Sequence, residues 1–182
     1  MLCRETKRGT PARRGLTPNV RIGALLILFF LAGFCPLSAQ SPLLHKPAPM
    51  FERIDLKGQH VDLKALRGKV VLLNFWASWC GPCQVELPQF QAWQRKYNSA
   101  GFQVIAISMD DEEGSARAVV HKLSLDIPVV MGDERLGKEY GGILGLPVTF
   151  LIDREGRVTD VVNGAVSAVA MEARVRSLLG LR

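Results

Sequence analysis

Hydrophobic and polar positions change their rhythm several times along this chain, and each change marks an element. Lys69 to Phe75 is a near-continuous apolar run, which predicts a strand buried on both faces, as in a parallel sheet. Phe102 to Met109 predicts a second central strand, and between the two, residues 81–99 read as a helix interrupted at Pro88. Glu112 to Leu123 predicts another helix, followed by a short strand at Ile127 to Met131 and a short helix, Asp133 to Tyr140, stopped at Gly141-Gly142. Two shorter alternating pairs bracket this middle section. Phe51 to Leu56 and His60 to Leu63 flank Lys57-Gly58-Gln59, and Val148 to Ile152 and Arg157 to Val162 flank Asp153-Arg154-Glu155-Gly156; both predict hairpins. Ser167 to Leu179 closes the chain as an amphipathic helix. Strand and helix alternating, then a hairpin and a helix, predict an α/β fold: a mixed sheet with helices on both faces.

The first 39 residues follow different rules. Residues 1–21 carry Arg4, Lys7, Arg8, Arg13, Arg14 and Arg21 against Glu5, and Ile22 to Leu37 holds nothing but apolar residues, Gly, Pro and Cys. A basic start, an apolar stretch and Leu37-Ser38-Ala39 describe a signal peptide cleaved after Ala39, or an anchor retained in the membrane through residues 22–39. Either places the rest of the chain outside the cytoplasmic membrane, in an oxidising compartment. The twin-arginine reading of Arg13-Arg14 and a lipoprotein reading of Cys35 match the surrounding residues poorly. The leader also explains the charge. The whole chain has 23 basic and 17 acidic residues, net +6; the leader supplies 6 − 1 = +5, leaving 17 − 16 = +1 for residues 40–182. No nucleic-acid partner is implied. Residues 40–49, with Pro42, Pro47 and Pro49, read as a linker, and residues 50–182 as one domain with its own core.

Of four cysteines, Cys3 and Cys35 fall in the leader, so the domain keeps Cys80 and Cys83 alone. Two residues apart, they can close a small disulfide ring. Preceded by a strand and followed by a helix, Cys80 sits where helix N-terminal N–H groups point, which favours thiolate over thiol. Structural zinc needs four ligands, and His45, His60 and His121 are too scattered to complete a set; they read as structural or surface residues. No metal, nucleotide or other cofactor is implied beyond the redox-active pair, since no G-x-G-x-x-G fingerprint is present.

Asn74-Phe75-Trp76-Ala77-Ser78-Trp79-Cys80-Gly81-Pro82-Cys83 resembles a thioredoxin-fold active site, and Gly145-Leu146-Pro147-Val148-Thr149-Phe150-Leu151-Ile152-Asp153 resembles the segment bearing that fold's cis-proline. The leader, the N-terminal hairpin and the extra helix and strand at 112–131 make residues 46–182 similar to TlpA/ResA-like thiol–disulfide oxidoreductases. The resemblance implies a thioredoxin-like fold: a mixed central sheet flanked by helices, with an N-terminal β-hairpin and a central helix–strand insertion. It implies Cys80, exposed at the helix start, as attacking thiolate and Cys83, more buried, as resolving thiol. Gly81 allows the tight entry, and Pro82 gives up an N–H that has no helical partner. Trp79 shields the nucleophile and lines the substrate surface, whereas Trp76 reads as core and Pro88 as a helix kink. A cis Leu146–Pro147 bond would leave the Leu146 backbone free to pair with an extended client. Thioredoxin's buried Asp is replaced by Asn74, which cannot titrate. Glu86, three residues past Cys83 on the same helix face, is either a solvated surface residue or the carboxylate that tunes Cys83 and relays its proton.

These expectations combine into a reductant of protein disulfides outside the membrane, recharged by a membrane thiol donor and monomeric in its soluble domain. Apocytochrome c is one candidate client, although the subgroup devoted to it carries Glu where this chain has Val148. A disulfide-donating oxidase or isomerase, and a non-catalytic binding or chaperone module on the same fold, are the alternatives.

Overall fold

The computed structural model describes residues 41–165 and 167–181. The leader assigned to residues 1–39 lies outside them, and no helix among the described residues is long and apolar enough to cross a membrane.

Among the described residues, seven strands and four helices follow in the order β1 (Glu52–Ile54), β2 (His60–Asp62), β3 (Val70–Trp76), α1 (Gly81–Tyr97), β4 (Phe102–Ser108), α2 (Glu113–Lys122), β5 (Val129–Met131), α3 (Glu134–Glu139), β6 (Val148–Ile152), β7 (Val158–Asn163) and α4 (Ala168–Leu179). The main sheet has the order β5-β4-β3-β6-β7; β3, β4 and β5 pair in parallel, and β6 runs antiparallel to both its neighbours, β3 and β7. Every residue of β3 is buried, as a central strand covered on both faces requires. One face packs Val70, Leu72 and Trp76 against Leu87, Phe90 and Trp93 of α1, Ala116 and Val119 of α2, and Met171 and Val175 of α4. On the other face Val71, Leu73 and Phe75 meet Leu136 and Tyr140 at α3 and Phe51, Val61 and Leu63 of the N-terminal hairpin. Phe75, Tyr140 and Phe150 pack there with ring centroids 5.0–5.8 Å apart, in tilted and edge-to-face geometries. The α/β mixed-sheet fold read from the sequence is the fold observed.

The chain departs from the expected boundaries where side chains compete with the backbone. β1 ends at Ile54 because the Asp55 carboxylate accepts from the N–H groups of Lys57 and Gln59, turning the chain early. The turn before β7 needs φ +73° at Gly156, which accounts for glycine there. Helix α1 runs unbroken from Gly81 to Tyr97; Pro88 lies on its exposed side.

Within the stretch that precedes the first hairpin, residues 45–48 are bound to the sheet. His45 N–H donates to Val158 O, Val158 N–H to Lys46 O and Ala48 N–H to Gly156 O, at 2.7–3.0 Å, so this stretch pairs with the start of β7. Ala48 is buried, and Tyr140 Oη donates to Pro49 O at 2.9 Å. Pro47 and Pro49, past the turn at 42–45, suit such an edge, where a missing N–H is no loss. Beyond it, Leu56 N–H donates to Val129 O at 2.8 Å, and Asp55 bridges Val130. The segment thus passes beneath the sheet from the β7 edge to the β5 edge.

Candidate active site

The register between β3 and β6 fixes the site. Phe75 pairs with Val148, so one residue further along each strand Trp76 and Pro147 come side by side. The loop leading to Cys80 and the loop ending in Leu146-Pro147 therefore leave the sheet at the same end. The Leu146–Pro147 bond is cis.

From Trp76 the chain makes a turn at Ala77–Cys80, closed by Cys80 N–H donating to Ala77 O at 3.0 Å. Cys80 caps α1 in extended conformation, φ −86°, ψ 98°, and its Sγ accepts from Cys83 N–H at 3.3 Å. Pro82 lies in the first turn, where its missing N–H costs no helical bond. Cys80 and Cys83 are joined by a disulfide, with Cα atoms 5.3 Å apart.

Exposed Cys80 was the expectation, and the structure corrects it. Cys80 is 5% exposed and Cys83 0%, because both sulfurs of the disulfide pack into the core cluster with Trp76 and Leu87. The exposed surface belongs to their neighbours: Trp79 at 73%, with Gly81, Pro82 and Val85, while Leu144 stands out fully from the opposite loop. Trp76 is wholly buried, as a core residue should be. Glu86 is 4% exposed, so it is not a solvated helix residue; the i, i+3 spacing sets its buried carboxyl on the face that carries Cys83. Asn74 and Thr149 pair across β3 and β6 with no exposure, Asn74 Nδ2 donating to Thr149 Oγ1 at 3.0 Å. A titratable group is absent from that position, as Asn74 implied.

Such an arrangement can exchange a dithiol for a disulfide. A sulfur at the head of a helix is solvated by N–H groups when it becomes anionic. Its partner one turn on is within bonding reach, and among the described residues no other cysteine competes. Among the described residues no cluster of His, Cys, Asp or Glu could hold a metal ion.

The family model described as the AhpC/TSA family matches residues 44–161. The chain belongs to this family. It is 32% identical over 165 residues to the thiol-disulfide oxidoreductase ResA of Bacillus anthracis, covering 87% of this chain and 94% of the relative. With the protein of the same name from Bacillus subtilis (strain 168) it shares 31% over 153 residues, 81% of this chain and 86% of the relative. A solved structure, a putative thiol:disulfide interchange protein DsbE from Chlorobium tepidum, superposes with a TM-score of 0.69 at 36% identity, over 74% of this chain and 96% of that one. The thioredoxin-like, ResA-like character read from the two motifs is thereby established: the chain is a thiol–disulfide oxidoreductase with the Cys80–Cys83 pair as its disulfide.

Two polar residues of this AhpC/TSA-family site escaped the sequence reading. Asp110, just past β4, accepts from Ser78 N–H at 3.0 and 2.9 Å and from Ser78 Oγ at 2.7 Å. Gln84 on α1 donates from Nε2 to Ser78 O at 2.7 Å and accepts from Lys122 Nζ at 3.1 Å. Asp110 lies 32 residues from Ser78, and only the parallel pairing of β3 with β4 joins them. A hint was present in Ser108-Met109-Asp110: a predicted strand ending in small polar and acidic residues, as the strand before the cysteines is followed by Ser78.

Proposed function

We propose that this oxidoreductase reduces disulfides of proteins outside the cytoplasmic membrane. The observation that carries the reading is Cys80 Sγ as the cap of α1, accepting the Cys83 N–H beside exposed Trp79. In the reduced protein Cys80 thiolate attacks one sulfur of a client disulfide, forming a mixed disulfide and expelling the other sulfur as thiolate. Glu86 takes the Cys83 thiol proton and passes it outward. Cys83 then attacks Cys80 Sγ, releasing the second client sulfur. Two electrons have moved to the client, whose two sulfurs leave as thiolates and take their protons from solvent, and the enzyme is left as the Cys80–Cys83 disulfide.

Trp79, Gly81 and Pro82 form one wall for the client and Leu146-Pro147 the other, where the Leu146 backbone pairs with an extended segment. A thiol donor in the membrane returns the electrons, and the leader, as signal or anchor, puts the domain on the outer side. The reaction needs no resident metal or organic cofactor. Apocytochrome c, whose cysteines must be reduced before haem attaches, is a candidate client, and the domain acts as a monomer.

The test is the reduction potential of Cys80–Cys83 in the full chain, by equilibration against a thiol buffer with tryptophan fluorescence as readout. The expected value is near thioredoxin's, about −270 mV; a value near about −120 mV would make the protein a disulfide donor and reverse the electron flow. No reversible transition at all would leave a binding module.

A further inference from the structure

Ser78 is held on every polar atom it offers. Its N–H and hydroxyl both go to Asp110, at 2.7–3.0 Å, and its carbonyl accepts from Gln84 at 2.7 Å. Asp110 is 8% exposed and takes a third donor, Ser108 Oγ, at 2.8 Å, while its own N–H donates back to Ser108 Oγ at 3.2 Å. Each carboxylate oxygen serves as acceptor. Ser78 is the second residue of the Ala77–Cys80 turn, so fixing its peptide on both sides fixes the direction in which Cys80 enters α1. That direction decides whether Sγ lies on the helix N–H groups or beside them.

We propose that Asp110, with Gln84 on the opposite side of the Ser78 peptide, is a positioning residue for Cys80: the clamp keeps Sγ on the α1 N-terminus and so sets how readily the thiolate forms. This rests on the reading of Cys80 as attacking thiol. Placement and charge make opposite demands here, which separates them. Loss of placement takes the thiolate off its donors and raises the pH at which it forms; loss of a nearby negative charge lowers that pH. Asn at position 110 keeps an acceptor for the Ser78 N–H and can donate to Ser108 Oγ, whose hydroxyl rotates to suit, so it retains the clamp without the charge.

The experiment follows the rate of alkylation by iodoacetamide against pH in the reduced full chain, with the labelled cysteine identified by mass spectrometry. Asp110→Ala should move the midpoint for Cys80 upward by about half a pH unit or more, a fall of about threefold in rate below the midpoint. Asp110→Asn should restore the native midpoint or fall slightly below it. An unmoved or lowered midpoint in Asp110→Ala overturns the proposal, and so does Asp110→Asn displaced upward as far as Asp110→Ala. Label on Cys83 in the native protein overturns the assignment of the nucleophile and this proposal with it; label on Cys80 with no shift overturns this proposal alone. Thermal unfolding of the oxidised proteins checks that each variant folds. If Asp110→Ala does not, Gln84→Met decides on the same scale: an upward shift supports the clamp, and the native midpoint overturns it.

Discussion

Cys80 and Cys83 differ by a single turn of helix, yet α1 gives them different positions. Cys80 heads the helix with exposed Trp79 before it and exposed Gly81 and Pro82 after it, whereas Cys83 is sealed beneath them. The consequence is an order of events. Cys83→Ser should react with a disulfide client and stop as a mixed disulfide on Cys80, visible on a non-reducing gel. Cys80→Ser should capture at least tenfold less, since Cys83 is wholly buried and lacks the place at the helix N-terminus that favours the Cys80 thiolate. Much of this site is legible in the sequence, because Trp79 to Cys83 is contiguous and its spacing carries its own geometry. Glu86 is legible as a position but not as a buried one; α1 carries enough polar residues that only packing shows which are covered. Asp110 was beyond reach for a different reason: its partner Ser78 is near it only after two strands have paired.

Elements with one strong signal appear where the hydrophobic pattern puts them, and those that depend on side-chain bonds do not. β3 and β4 are near-continuous apolar runs and could not be mistaken. The short 3₁₀ turns at Lys64–Leu66 and Asn98–Ala100 have no periodicity to read and bury no residue of their own. The contact between α1 and α4 is likewise set by particular side chains. Tyr97 Oη donates to Glu172 Oε1 at 2.6 Å, and Lys96 Nζ reaches the same oxygen at 2.8 Å. Lys96 first, and Tyr97 after it, hold the Glu172 carboxyl below its ordinary range. A depressed carboxylate stabilises the fold above its unfolded pKa, near 4.3, and the gain is lost as pH falls through the folded value. Tyr97→Phe should therefore lose about 1 kcal/mol at pH 7 and close on the native protein in acid, in urea titrations at the two pH values.

Across the whole molecule, the N-terminal segment has the widest reach. It lies along the start of β7 at His45–Ala48, crosses beneath Phe75 and Ile107, and meets β5 at Asp55–Leu56. Read as a sequence it is proline-rich and nearly patternless, which is why it passes for a linker; its order comes from backbone bonds to strands more than 100 residues away. Those bonds also impose a schedule. The part of the domain made first has its partner at Gly156–Val158, among the parts made last, so this latch can close only on a sheet that is already built. A chain begun at Met50 should refold within about twofold of the native rate but unfold roughly 5–30 times faster, as a loss of about 1–2 kcal/mol taken wholly on the unfolding side requires. Stopped-flow fluorescence of Trp76 and Trp93 would follow both limbs. A protein secured in this order is finished late and released early: the segment at 45–48 is the last to join the fold and the first to let go.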